Sequence, residues 1–379
     1  MTQASAVARR TGIHRRDLLC LLLACLCQTR PAPLSALTKA EARVTEGLVA
    51  YVDSTMSILV PSSAGIAISR GERVLFQTYL PGSFQGLPPA PVDETTLWPL
   101  ASGTKSYGAG LLLNLVHEGL VSLDDPVSRY LPLFLEPGAG PHARTAVTLR
   151  HLASHTSGLG HLDPASHGPP DSAVVLTKPG AAFAYSWLGV HFLERALEAA
   201  TGQDYEQLLQ QRLLAPLGLA HTRFVYDVDP ALPLMPCMAG DFDDPARHYL
   251  RVRPGSRISH GLYATTCDLN RYGQLWANGG TLAGHTLFTP ELAAQAFAPH
   301  GTRASDSGDY GLLWWVFADQ GGYVLSGATH TVTAVVPNVQ VAVTVTRNYI
   351  GHVPEAFNFY QDKLTLVRFG QRLGALAAD

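Results

Sequence analysis

Ser102 and Lys105 are the first residues whose types and spacing could do chemistry. They stand three apart in a run that reads as a helix over 102–118, so both side chains share one face, a turn apart. A serine hydroxyl is a weak nucleophile until an adjacent base takes its proton, and a desolvated lysine can be that base. The chain has four lysines, Lys39, Lys105, Lys178 and Lys363, and only Lys105 falls inside an apolar helical run. Lysines are rarely buried unless paired or functional. A helix N-terminus would also put the Ser102 N–H where an oxyanion needs a donor. The chemistry implied is acyl transfer. Taken alone, such a pair arises by accident about one time in four. It reads equally as an N-cap serine with a snorkelling lysine. Gly103-Thr104-Lys105-Ser106 also echoes a phosphate loop. Thr104 separates the glycine from the lysine, however, and Trp98 stands where that loop's first glycine belongs.

The elements around this pair follow from periodicity. An amphipathic helix is expected over 38–57, with Thr38 and Glu41 as a capping box and Val44, Leu48 and Val52 on one face. Two strand-like runs, 65–70 and 73–80, are joined by Gly71-Glu72 as a hairpin. Further helices are expected near 186–201, 204–214, 266–278 and 354–373. Strands are expected over 310–317, 322–326, 331–336 and 341–347, with a turn at Pro337-Asn338. The reading is an α+β fold. One antiparallel sheet draws on both chain ends (37–115 and 301–379), terminal helices flank it, and a mostly helical lobe (116–300) is inserted between. A cleft between the two parts is the default place for a site.

Composition bounds the function. The 379 residues are 46% apolar and only 15% charged, with a formal net charge of −3. No basic block follows the first sixteen residues, which argues against a nucleic-acid partner. The 35 glycines and 26 prolines show no period, which excludes collagen-like and low-complexity classes.

Residues 1–36 read as an export signal and linker. Arg9-Arg10 and Arg15-Arg16 precede ten apolar residues, about half the length of a membrane-spanning helix. Arg15-Arg16-Asp17-Leu18-Leu19 is also similar to a twin-arginine signal. Leu22-Leu23-Ala24-Cys25 resembles a lipoprotein cleavage box, which would place a lipid on Cys25. The expected location is therefore periplasmic or secreted, free or lipid-anchored. The mature chain, 37–379, keeps Cys237 and Cys267, which are either one disulfide or two separately buried thiols.

Several segments, in order and at fitting distances, resemble the serine β-lactamase-like family, which includes class C β-lactamases, esterases and D-alanyl peptidases. They are the run from Thr96 to Ser106, Glu118-Gly119-Leu120 with Asp124-Asp125-Pro126, and Leu149-Arg150-His151-Leu152 through Ser154-His155-Thr156-Ser157-Gly158. Phe183-Ala184-Tyr185-Ser186, His260-Gly261-Leu262-Tyr263 and Tyr310-Gly311-Leu312-Leu313-Trp314-Trp315 complete the set. The resemblance covers about residues 40–350 and implies a penicillin-recognising fold. It implies that Ser102 is the acyl-accepting nucleophile and that Lys105 and Tyr185 share proton transfer, a phenol being a base only where cations depress its pKa. It further implies an oxyanion hole from the N–H groups of Ser102 and Ala328, with Gly327 before the donor.

Two departures bear on substrate. Trp187 stands where the family's tyrosine motif ends in Asn, and Leu325 replaces the cation in Leu325-Ser326-Gly327. Trp187, Leu325, Ser326 and Gly327 are the expected substrate-binding residues. A site without a partner for a carboxylate does not discriminate for one. The expectation is an exported serine hydrolase of uncharged esters or small amides. The alternatives are a β-lactamase or D-alanyl-D-alanine peptidase acting on cell-wall peptides, and a non-catalytic binding protein. No cofactor and no metal are called for. His151, His155, His161, Asp163 and His167 form a stretch with the residue types of a zinc site, but the resemblance makes His155 structural, and 15 histidines in the chain produce such clusters by chance. Asp241, Asp243 and Asp244 are too few carboxylates for a calcium loop. No Gly-x-Ser-x-Gly elbow occurs, against an α/β-hydrolase.

Overall fold

The first helix, α1 (Lys39–Met56), starts at the capping box its sequence carries. The Thr38 hydroxyl accepts the Glu41 N–H, and the Glu41 carboxylate accepts the Thr38 N–H at 2.9 Å. It leads into the hairpin of β1 (Ala64–Arg70) and β2 (Arg73–Leu80). The computed structural model describes residues 37–59, 63–82, 92–135, 140–159, 173–237, 251–252, 257–301, 308–349 and 355–376. The proposed export segment, His161, Asp163, His167 and the Asp241–Asp244 stretch lie outside the described residues.

The chain next forms β3 (Trp98–Pro99) and α2 (Thr104–His117), then α3 (Leu149–Ala153), α4 (Trp187–Thr201) and α5 (Tyr205–Leu209). After β4 (Arg223–Phe224) and β5 (Leu262–Ala264) come α6 (Thr266–Ala277), β6 (Thr281–Leu282), β7 (His285–Thr286) and α7 (Pro290–Phe297). The remaining strands are β8 (Asp309–Tyr310), β9 (Trp315–Phe317), β10 (Gly322–Ser326), β11 (Val332–Val336) and β12 (Val341–Arg347). Helix α8 (Phe359–Ala375) follows them.

The large sheet has the order β2-β1-β12-β11-β10-β9-β8 and is antiparallel throughout, so strands from both chain ends share it. Both of its faces are covered, and β12 shows how. Val341, Val343 and Val345 pack with Leu48 and Val52 of α1 and Leu366 and Val367 of α8. The alternate residues Ala342 and Thr344 face α6, where the Asn270 amide donates to the Ala67 and Ala342 carbonyls. A second, larger core gathers the helical elements around α2, whose Leu111, Leu112, Leu113 and Leu115 are fully buried. Arg347 and Asp362, both 0% exposed, lock β12 to α8 through a two-point ion pair at 2.8 and 3.1 Å.

Two expectations are corrected. The strand expected over 310–317 is broken into β8 and β9 by a tight turn. Leu313 sits there at φ 59, and a β-carbon on Gly311 would stand 2.0 Å from the Ala296 carbonyl oxygen. The helix expected from Ser102 starts instead as a 3₁₀ turn, Ala101–Gly103, before α2. Cys237 and Cys267 remain separate thiols, and Cys267 Sγ donates to Gln77 Oε1 at 2.9 Å.

Candidate active site

The turn that carries Ser102 is held by a strand and then strained. β3 pairs with β5, and the Leu100 N–H continues the ladder to the Leu262 carbonyl at 3.0 Å. Ala101 then adopts φ 46, a left-handed conformation that costs a residue with a side chain about 1–2 kcal/mol. That kink lifts Ser102 out of the ladder and into the 3₁₀ turn. Its side chain is half-buried, while Lys105, one turn on, is 1% exposed.

Lys105 Nζ donates to Ser102 Oγ at 3.2 Å and to the Ser259 carbonyl at 2.8 Å. The rings of Tyr185 and Trp187 each lie 5.0 Å from Nζ. No carboxylate pairs with it among the described residues. Burying an ammonium is costly unless its N–H groups are satisfied, and two oxygens and two ring faces do that here without locking the proton in a salt bridge.

Tyr185 is positioned by His155. The His155 carbonyl accepts the Ala184 N–H at 2.8 Å, and its Nδ1 accepts the Ser186 N–H at 3.1 Å. The ring stands 4.4 Å from that of Tyr185. His155 itself is buried at φ 56, so backbone and ring both clamp the segment. Ser186 is extended (φ −128, ψ 117) and caps α4 by accepting the Gly189 N–H at 3.0 Å. Beyond Tyr185, burial and then the neighbouring Tyr185 hold the Tyr310 hydroxyl well above the usual phenol range, so Tyr310 stays neutral.

The end of β10 closes the site. The Thr329 hydroxyl donates to the Pro99 carbonyl at 2.8 Å, and the His330 N–H closes a turn to the Gly327 carbonyl at 3.0 Å. A β-carbon on Gly327 would sit 3.0 Å from the Ser102 nitrogen, so this strand end lies directly against the Ser102 turn. Neither the Ser102 nor the Ala328 N–H donates to another group among the described residues, and Ala328 is exposed. Ser326 is 6% exposed. Leu325 is 0% exposed and packs beneath Gly103, so its side chain presents no surface to a ligand. Trp187 is half-buried beside Lys105.

Sequence reasoning missed the groups that act through main chain. Ser259 reaches Lys105 with its carbonyl, and the segment is pinned by Glu194, which accepts the Ile258 N–H at 3.0 Å and Arg257 Nε at 2.9 Å. Burial pushes the Glu194 carboxyl up. His260-Gly261-Leu262-Tyr263 was the available signal, but a carbonyl leaves no mark on residue type. His151 caps its own helix, accepting the Thr148 N–H on Nδ1 at 3.2 Å.

A buried lysine on a serine that follows a strained alanine, beside a tyrosine and two N–H groups with no acceptor among the described residues, has the groups that serine acyl transfer needs. The chain matches the Beta-lactamase family over residues 57–365 and belongs to that family of serine hydrolases. The D-alanyl-D-alanine-carboxypeptidase/endopeptidase AmpH of Escherichia coli K12 is 32% identical over 192 residues, 46% of this chain and 47% of that protein. Esterase EstB of Burkholderia gladioli is 35% identical over 159 residues, 36% of this chain and 40% of that protein. The chain thus spans about half the length, or less, of these curated relatives. Among solved structures, a class C beta-lactamase superposes with a TM-score of 0.68 at 19% identity, over 88% of this chain and 96% of that one. That likeness shows the fold.

Proposed function

We propose that this protein is an exported hydrolase of uncharged esters or small amides, working through an acyl-enzyme on Ser102. The observation that carries this reading is Lys105 Nζ at 3.2 Å from Ser102 Oγ, buried and with no carboxylate partner among the described residues. In the proposed reaction Ser102 Oγ attacks the carbonyl carbon, and its proton passes to the Lys105–Tyr185 pair. The tetrahedral oxyanion sits between the Ser102 and Ala328 N–H groups. Collapse breaks the bond to the leaving group, which takes the proton back. Water then cleaves the acyl-enzyme by the same steps in reverse.

Preference for uncharged substrates is supported by Leu325, which offers no charge at the strand position where a carboxylate would be paired, and by the indole at Trp187. The second reading, action on D-alanyl peptides, is supported by the similarity to AmpH. Export is supported by the arginine pairs and short apolar run of residues 1–36. Intact mass of the processed N-terminus tests it, including a lipid on Cys25.

The decisive experiment treats the protein with p-nitrophenyl butyrate and with a fluorophosphonate probe, beside Ser102→Ala. The expected result is one label, on Ser102, and ester turnover that Ser102→Ala abolishes. Nitrocefin opening or D-alanine release faster than ester turnover would favour the peptide reading. A folded protein without label or turnover would overturn the hydrolase.

A further inference from the structure

We propose that Trp187 is a positioning residue for Lys105: its indole face, with the Tyr185 ring, holds the ammonium on Ser102. The inference rests on the reading of Ser102 as nucleophile and adds a residue outside the Ser102, Lys105 and Tyr185 set.

The backbone brings the two rings together. Ser186 is extended, and side chains two apart on an extended segment point to the same side. Tyr185 and Trp187 therefore both face Lys105, each 5.0 Å from Nζ. Ser186 is tied to His155 Nδ1 by its N–H and caps α4 with its hydroxyl, so the backbone that carries both rings cannot shift without breaking a buried bond. The indole also meets the His260 ring, edge-on at 5.2 Å and 67°. His260 follows Ser259, whose carbonyl takes one Nζ proton. Two neighbouring residues of one segment thus contact the ring and the ammonium.

A ring face suits this position chemically. It attracts a cation through its quadrupole, most strongly where water is excluded, yet has no lone pair that competes for an N–H direction. The Nζ bonds to Ser102 Oγ and the Ser259 carbonyl are left undisturbed.

Fluorinated tryptophans keep the shape of the ring and weaken its attraction for a cation, so they separate this role from packing. With 5-fluoro-, 5,7-difluoro- and 5,6,7-trifluorotryptophan at 187, the rate of fluorophosphonate labelling at Ser102 should fall stepwise, by up to roughly tenfold. Equal rates across the series would overturn the inference. A second arm needs no activity: with only four lysines in the chain, ε-13C-lysine spectra resolve the Lys105 methylene, identified by its loss in Lys105→Arg. That signal should be shifted upfield by the rings and should move downfield in Trp187→Leu, whereas an unmoved signal would overturn the contact. Absence of label in the unmodified protein defeats the hydrolase reading alone, and the spectra still decide the clamp.

Discussion

Gly327 lies so close to Ser102 that a β-carbon on it would stand 3.0 Å from the Ser102 nitrogen and 2.1 Å from the Leu100 carbonyl oxygen. No side chain fits there without separating the strand end from the Ser102 turn. The distance between the Ser102 and Ala328 N–H groups is therefore set by the absence of a side chain at one residue.

Gly327→Ala should push the two apart. Losing one oxyanion donor costs about 10²–10³ in rate. We expect fluorophosphonate labelling of Ser102 to slow by about that factor in protein whose circular dichroism is unchanged. A labelling rate within threefold of the unmodified protein would show that Ala328 is not a donor.

His155→Gly keeps a residue that tolerates the left-handed backbone but withdraws the ring acceptor from the Ser186 N–H. An unsatisfied buried donor costs about 1–3 kcal/mol. Urea denaturation should show a loss of that size. Ester turnover should fall by more than tenfold, since Tyr185 and Trp187 lose their anchor together.

His330 gives a pH dependence with a defined sign. Burial, and then the Arg347 guanidinium, pull its pKa from 6.5 down to about 4, while Asp362 opposes them. Between those values the unfolded chain binds the proton and the folded chain does not, so stability is fully present above pH 6.5 and is lost as pH falls toward 4. The loss is on the order of 3 kcal/mol. Thermal unfolding across pH 4–7 should show this slope, and His330→Asn, which suits the φ of 59, should flatten it. A slope unchanged in the variant would assign the effect elsewhere.

Asp362→Asn removes one partner of a fully buried ion pair and leaves Arg347 charged among apolar strands. Breaking such a pair costs about 3–5 kcal/mol. Asp362 also accepts the Tyr51 hydroxyl at 2.9 Å, so α1, β12 and α8 loosen together. The denaturation midpoint should drop accordingly. An unchanged midpoint would mean that the pair adds nothing to the sheet's outer layer.

What could be read from residue order is what depends on near neighbours. The capping box at Thr38 and Glu41, the hairpin at Gly71-Glu72 and the Ser102–Lys105 adjacency are set within four residues by helix and strand periods. Leu325 and Trp187 could be seen as departures from a pattern. Their surroundings could not: Leu325 is buried beneath Gly103, and Trp187 stacks on a lysine 82 positions earlier in the chain. The break within 310–317 was hidden for a similar reason, since Leu313 is held at φ 59 by an N–H bond to Ala153.

The amino-acid sequence by itself determined the family, the α+β layout and the candidate nucleophile and base, because those follow from local spacing and side-chain chemistry. Only the tertiary structure decided what holds them. The Ser259 carbonyl on Lys105, the His155 clamp on Ser186 and the contact of Gly327 with Ser102 join residues 154, 31 and 225 positions apart. Each depends on a main-chain atom, which every residue type carries alike, and so leaves no trace in the order of the residues.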